Sequence, residues 1–236
     1  MKKLKDSKIL VNCFNIYFIQ NKMFIPNKTF IKKIMELMDR FINRNKNSYI
    51  KISDVPQELI TKYKDIVPQE LIYIWQTMGF GIFENGFLQL VNPDEYEFVF
   101  HYVDKMLEPA IIFGITALGE PIAWEGGENW TIAPDEGNRC YRIDIRSCDR
   151  FVIDNIEGLL NIFIEYGIED KDYFNSKEYV KVKNKLPKLK YGECYGYFPA
   201  LVLGGKKSIE NIKIVDTKAY ITMIGEATGK IFEYGR

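Results

Sequence analysis

The stretch from Ala110 to Ile153 restricts the fold of this 236-residue chain more than any other part of its sequence. Apolar residues recur there at strand spacing, and Gly, Pro and Asn separate the segments. The pattern predicts five strands, at residues 110–115, 121–124, 130–133, 140–145 and 151–153. Because their connections are short, we expect neighbouring strands to pair antiparallel and to form a central meander. Residues 141–146 alternate apolar and charged side chains, which predicts one buried and one solvated face.

Helical periodicity precedes this region. Apolar residues recur every three or four positions after Asn27, at Phe30, Ile31, Ile34, Leu37, Met38, Phe41 and Ile42. The sequence Val-Pro-Gln-Glu-Leu-Ile occurs twice, at 55–60 and 67–72, and proline near a helix start predicts a helix at each copy. We expect the second helix to reach Met78 and stop at Gly79. A short apolar strand is expected at 87–91. Asn92-Pro93 then predicts an N-cap and a helix to about Leu107.

The C-terminal third continues with helices. Asn155 is a predicted N-cap of a helix that ends at Gly167, and another helix begins near Ser176 and stops before Pro187. We predict an α+β fold with a mixed, mainly antiparallel central sheet flanked by helices, and a smaller, mostly helical C-terminal unit. The predicted parts are an N-terminal extension with an amphipathic helix at 1–50, a sheet domain at 51–153, and a C-terminal domain at 154–236 packed on it.

Several classes of protein are excluded by composition and pattern. A hydrophobic fraction of 47% favours a globular protein over a disordered one. No apolar run approaches the roughly 18 residues that a membrane span requires. Four lysines among the first eight residues precede an apolar run at 9–19, but asparagines interrupt it and no small-x-small cleavage site follows before Pro26. We therefore expect a packed segment there instead of an export signal.

Cysteine and histidine are too sparse for most site chemistry. The four cysteines form no Cys-x-x-Cys pair and are expected to be reduced thiols of a cytoplasmic protein. The single His101 excludes a two-histidine metal site. Gly204-Gly205-Lys206-Lys207-Ser208 fails the phosphate-loop pattern, because Lys207 follows Lys206 and Ala200 stands at the first glycine position. These two glycines are expected to form a turn with positive φ. We predict no catalytic residue, no metal ligand and no cofactor.

Net charge is zero, but the charge is unevenly distributed. Residues 1–64 carry a net charge of +9, residues 65–180 of −15, and residues 181–236 of +6. The acidic middle segment would repel nucleic acid and attract a basic partner, although a solvated face without a partner explains it equally well.

Acidic residues flank two tryptophans in this middle segment, at Glu125, Glu128, Asp135 and Glu136 beside Trp124 and Trp130. Paired carboxylates occur in hydrolases, but nothing in the sequence fixes their separation. A solvated loop is one interpretation. A binding surface is another, because aromatic residues flanked by acids are typical anchors of protein interfaces.

Two motif blocks resemble a bacterial family that joins a GAD-like domain to the C-terminal domain of type VI secretion immunity proteins. The first block comprises residues 68–75, Gly79-Phe80-Gly81, Asn85-Gly86 and 90–96; the second comprises residues 193–201 with Gly204-Gly205. The resemblance covers about 52–225 and assigns 51–153 to the GAD-like domain. Residues 1–50 are longer and more basic than is typical of the family.

The resemblance implies a cytoplasmic immunity protein that binds a cognate toxin, in some members a DNase, and neutralises it by occlusion. We therefore expect a basic toxin as partner, with no direct nucleic-acid or membrane binding. The partner-binding residues predicted from the acidic segment are Glu125, Glu128, Trp130, Asp135 and Glu136. The alternative is a small-ligand or nucleotide-binding regulator that uses residues 195–205 as a pocket.

Overall fold

The computed structural model describes residues 28–103, 106–127, 137–169 and 174–230. The chain divides into two compact units, residues 1–37 and 38–236. The described part of the first unit is residues 28–37, which form the beginning of helix α1 (Lys28–Asn45). The remainder of the fold belongs to the second unit.

A seven-stranded antiparallel sheet forms the centre of the second unit. Its strands lie side by side in sequence order: β1 (Ile50–Ser53), β2 (Phe80–Phe83), β3 (Leu88–Leu90), β4 (Ala110–Thr116), β5 (Pro121–Glu125), β6 (Arg139–Asp144) and β7 (Asp149–Asp154). The predicted meander is confirmed for β4 to β7. The strand predicted at 130–133 lies outside the described residues.

The helices and a second, two-stranded sheet surround this centre. They are α2 (Gln57–Tyr63), α3 (Gln69–Thr77), α4 (Ile156–Glu165), α5 (Ser176–Lys183), the strand pair β8 (Glu193–Tyr197) and β9 (Ile212–Asp216), and α6 (Thr217–Thr228). The predicted α+β class is confirmed. Asn155 caps α4 by accepting a hydrogen bond from the N–H of Gly158, as predicted. Gly204 forms a turn with φ of 81°, also as predicted. None of the described helices is both long and apolar enough to cross a bilayer.

One predicted helix is wrong. Residues 93–107 contain two short 3-10 helices, Pro93–Glu95 and Glu97–His101. Asn92 does cap the first of them by accepting from the N–H of Asp94. The N–H of Val99 then bonds to Tyr96, and this three-residue spacing buries both side chains against the core.

Two strands of the sheet were not predicted. Residues 80–83 have the appearance of a turn in the sequence, yet they form β2 between β1 and β3. Gly81 in β2 lies so close to β1 that a Cβ atom there would be 2.5 Å from the carbonyl oxygen of Ile50. The glycine therefore permits close strand pairing. All four residues of β1 are exposed, so this edge strand has no buried face for a sequence pattern to reveal.

The C-terminal sheet packs on the central sheet through backbone and side-chain hydrogen bonds. The amide of Gln89 in β3 donates to the carbonyl of Glu193 and accepts from the N–H of Gly192, each at 2.8 Å. The N–H of Tyr195 in β8 donates to the carbonyl of Ala117 at 2.8 Å. Apolar side chains from both sheets and α6 form one core, which includes Ile112, Tyr141, Ile143, Cys194, Tyr220 and Ile221.

Candidate functional site

Of the five predicted partner-binding residues, the structure describes Glu125. Glu128, Trp130, Asp135 and Glu136 lie in 128–136, outside the described residues. Glu125 is the last residue of β5 and is only 2% exposed. Its Oε1 accepts a hydrogen bond from the hydroxyl of Tyr141, and its Oε2 accepts from the N–H of Leu107 at 3.0 Å. Both carboxylate oxygens of Glu125 therefore accept hydrogen bonds inside the protein.

Tyr141 is held in its protonated, donating state by this environment. Burial and the hydrogen bond to Glu125 raise the pKa of Tyr141 to about 12. The guanidinium of Arg150 lies over the tyrosine ring, 4.5 Å from its centroid. A phenol and a backbone N–H therefore satisfy the carboxylate of Glu125, and Arg139 of β6 is its cross-strand neighbour.

Hydrogen bonds connect the described residues on either side of 128–136, and we call these connected residues the base of the segment. The N–H of Gly126 donates to the carbonyl of Pro109 at 2.8 Å, and the N–H of Asn138 donates to the carbonyl of Gly126 at 3.2 Å. The buried indole of Trp124 donates to the side-chain oxygen of Asn138 at 2.8 Å. Glu125 therefore lies between Trp124 and Gly126, which both bond to Asn138.

A groove of about 550 Å³ lies beside this base, where β4 begins. Apolar side chains form much of its lining: Ile66, Phe100, Val103, Met106, Pro109 and Ile111. The exposed acids Glu97 and Glu108 and the exposed His101 lie along it. Lys62 also lines the groove, and its ammonium is paired with Asp94 at 2.7 Å. We call this surface the acidic groove.

The other end of β5 holds a buried ion cluster, and here the prediction of a solvated face is wrong. Arg142, Asp144 and Arg146 alternate along β6 and its end, but they are only 3%, 7% and 7% exposed. Glu120, which is fully buried, accepts through Oε1 from Arg142 Nη1 at 2.7 Å and from Arg146 Nη2 at 2.9 Å. The charged face is covered instead of solvated because residues from the C-terminal third pack over it.

Those covering residues come from α5 and β8. The amide of Asn175 donates to Glu120 at 2.8 Å, and Arg146 Nη1 donates to Glu178 at 2.7 Å. The hydroxyl of Tyr197 donates to the same Glu178 oxygen at 2.9 Å. Burial and the neighbouring Glu178 raise the pKa of Tyr197, so its hydroxyl remains a donor. Three segments distant in sequence are therefore joined by one set of charge-assisted hydrogen bonds.

The arginines also set the ionisation of the cluster. Burial by itself would raise the pKa of Asp144, but Arg146 and Arg142 lower it below its ordinary value of 3.8. Burial would lower the pKa of Arg146, yet Glu120, Asp144 and Glu178 raise it. Both residues therefore stay charged although they are buried. The Arg-Ile-Asp-Ile-Arg alternation indicates that these charged side chains share one face of the strand. It does not indicate that residues distant in the sequence cover that face and bury the charges.

The described part of the chain contains no group of three or more His, Cys, Asp or Glu side chains placed to hold a metal ion. A second cavity, of about 420 Å³, lies against the ion cluster, between α5, the end of β8 and residues 207–209. The predicted alternative site at 195–205 contributes Tyr197 to it.

Two family models match the chain. Residues 36–135 match the GAD-like domain, and residues 163–228 match the model described as T6SS immunity protein Tdi1, C-terminal. Both matches confirm the resemblance predicted from the sequence. No curated protein matches.

A solved structure is similar in fold. The crystal structure of Atu4351 from Agrobacterium tumefaciens superimposes with a TM-score of 0.62 at 21% sequence identity, covering 80% of this chain and 88% of that chain. At this identity the similarity concerns the fold. The ion cluster connects the two matched regions, because Glu120 lies in the first and Asn175, Glu178 and Tyr197 lie in the second.

Proposed function

We propose that this chain, which carries a GAD-like domain followed by a T6SS immunity-protein C-terminal domain, binds a cognate toxin and neutralises it by covering the toxin's active or DNA-binding site. The match of residues 163–228 is the observation that carries the proposal. The mechanism is occlusion, so it requires affinity and shape and no catalytic group of this chain.

The acidic groove, together with the acidic segment 128–136, is the proposed toxin-binding face. Glu97 and Glu108 are exposed beside apolar side chains, which suits a basic surface that also inserts an apolar or long aliphatic side chain. Glu128, Trp130, Asp135 and Glu136 extend this face in the sequence. Glu125 contributes indirectly, by holding Leu107 and Tyr141 through hydrogen bonds.

A DNase is the class of toxin that this face suits. A nuclease must neutralise DNA phosphates, so its substrate-binding surface is basic. An acidic surface competes for the same cations, and long-range attraction raises the rate of encounter. The net charge of −15 over residues 65–180 supports this electrostatic match.

The test is co-expression with the product of the adjacent reading frame, combined with a pull-down of the two proteins. We expect a stable complex and rescue of growth. The informative variant replaces Glu97, Glu108, Glu128 and Asp135 by Lys while leaving the buried Glu125 unchanged. Because the changed charges lie on the proposed face, we expect the dissociation constant to rise by at least about tenfold, mainly through slower association.

The matched control is Asp149→Lys. Asp149 is an exposed residue at the start of β7, where it lies across from Asp144, the last residue of β6. Glu125 lies across from Arg139, at the other end of β6. Asp149→Lys changes the charge in the same direction at a residue that does not line the groove, and we expect it to retain rescue. Equal affinity in the groove variant and in the unchanged protein would refute the proposed face, and the absence of any complex or rescue would refute the proposed function.

A further inference from the structure

The cavity of about 420 Å³ against the ion cluster has the size of a small-molecule site, for which roughly 300–1,000 Å³ is typical. Its wall combines the first two turns of α5, the last residue of β8 and the loop after Gly205. Polar side chains that line it include Ser176, Lys177, Lys181, Tyr197 and Lys207. Phe174 and Ile209 supply apolar wall.

Three lysines give this cavity an excess of positive charge. Lys177, Lys181 and Lys207 are exposed, and within the described parts of the chain none of their ammonium groups forms an ion pair. Glu178 is the carboxylate of the wall, and it is already engaged by Arg146 and the hydroxyl of Tyr197. Among the described residues that line the cavity, no other carboxylate faces the lysines.

The ion cluster behind the wall does not cancel this excess. Arg142 and Arg146 face Glu120, Asp144 and Glu178 there, which leaves one negative charge. With the three lysines of the cavity included, five cations face three carboxylates, so two positive charges remain. The excess matches a phosphate monoester, which carries about −1.5 to −2 charges at pH 7.

Neutral donors accompany the lysines. The hydroxyl of Ser176 makes no hydrogen bond with another described residue and lines the cavity. The N-cap residue Asn175 makes no cap bond, because its amide points to Glu120 and Asp144 instead. The N–H groups of Ser176 and Glu178 already donate to the carbonyls of Phe174 and Asn175, at 2.7 and 3.1 Å, so side chains supply the charge and the donors of the cavity.

We propose that this cavity binds the phosphate group of a small phosphorylated metabolite. Lys177, Lys181 and Lys207 pair with the phosphate oxygens, Ser176 donates to them, and the organic part contacts Phe174 and Ile209. The proposal is independent of toxin binding, because the acidic groove lies at the other end of β5.

Isothermal titration of the full chain tests the proposal with three probes: inorganic phosphate, glycerol 3-phosphate and AMP, in chloride buffer of matched ionic strength. We expect saturable binding of at least one monoester, no weaker than that of inorganic phosphate. The double variant Lys177→Gln, Lys207→Gln should weaken this binding at least tenfold. Circular dichroism checks that the variant is folded.

The matched control is the double variant Lys183→Gln, Lys206→Gln. It removes one lysine from α5 and one from the same loop, and neither of them lines the cavity. We expect binding to remain within about twofold of the unchanged protein. Failure of all three probes to bind, binding of inorganic phosphate without either monoester, or an equal loss in both double variants would each overturn the proposal.

Discussion

The two ends of β5 each bury a carboxylate, and they satisfy it in different ways. Glu120, just before the strand, accepts from two guanidinium groups and one amide. Glu125, at its last residue, accepts from a phenol and a backbone N–H. Losing Glu120 would therefore leave two buried guanidinium groups short of a counter-charge, whereas losing Glu125 would leave a phenol and an N–H without their acceptor.

The two carboxylates connect different parts of the fold. The partners of Glu120 come from the end of β6 and from α5, so this carboxylate joins the sheet to the C-terminal region. The partners of Glu125 are Leu107, which precedes β4, and Tyr141 in β6, so this carboxylate joins these two parts of the central sheet.

Replacing Glu120 by Gln should cause the largest loss of stability. The amide has nearly the same size, but of the three carboxylates described in the cluster Arg142 and Arg146 would then share Asp144 and Glu178. Leaving a buried cation short of its partner costs about 3–5 kcal/mol. Urea denaturation monitored by tryptophan fluorescence measures this change. A loss below that of the next variant would show that the cluster is not the stronger of the two ends.

Replacing Glu125 by Gln should lower the free energy of unfolding by less, about 1–3 kcal/mol. The amide group of Gln would face a hydrogen-bond donor from which a carboxylate oxygen now accepts a bond. Tyr141→Phe removes the hydroxyl that donates to Glu125 and is the matched control. If the bond is the main contribution of Glu125, the double variant should be less destabilised than the sum of the two single variants. Strict additivity in urea denaturation would contradict the assigned contact.

The strand pattern predicted the sheet but not what covers it. Alternation along 141–146 correctly places Arg142, Asp144 and Arg146 on one face. Whether that face meets water depends on Asn175, Glu178 and Tyr197, which are far away in the sequence. Local periodicity carries no information on such long-range packing.

The same limit explains the outcome at Glu125 and in residues 93–107. An acid at a strand end followed by two glycines is typical of a solvated turn, and the donors that bury it come from residues 107 and 141. In the second case the cap at Asn92 was predicted correctly. Packing of Tyr96 and Val99 at three-residue spacing then favoured 3-10 turns over an α-helix.

The pH dependence of stability tests the ion pairs at the Glu120 end of β5. Because Arg146 and Arg142 outweigh the effect of burial, the pKa of Asp144 is lower in the folded protein than its ordinary value of 3.8. Its stabilising contribution is therefore complete above the unfolded pKa and is lost as pH falls through the folded one. We expect the stability difference between the unchanged protein and Asp144→Asn to shrink from about pH 6 to about pH 3. Urea titrations at both values measure it, and a constant difference would contradict the assigned ion pairs.

The smallest effect is expected for an ion pair that solvent reaches. Arg40 pairs with Glu165, and the two side chains are 52% and 55% exposed. Water screens such a pair and ordering two long side chains opposes it, so Arg40→Gln should cost less than about 1 kcal/mol. Glu165→Gln, and both changes together, complete a cycle that isolates the pair from other effects of each side chain. A coupling energy in urea denaturation as large as the loss at Glu120 would show that burial is not what separates strong from weak ion pairs in this protein.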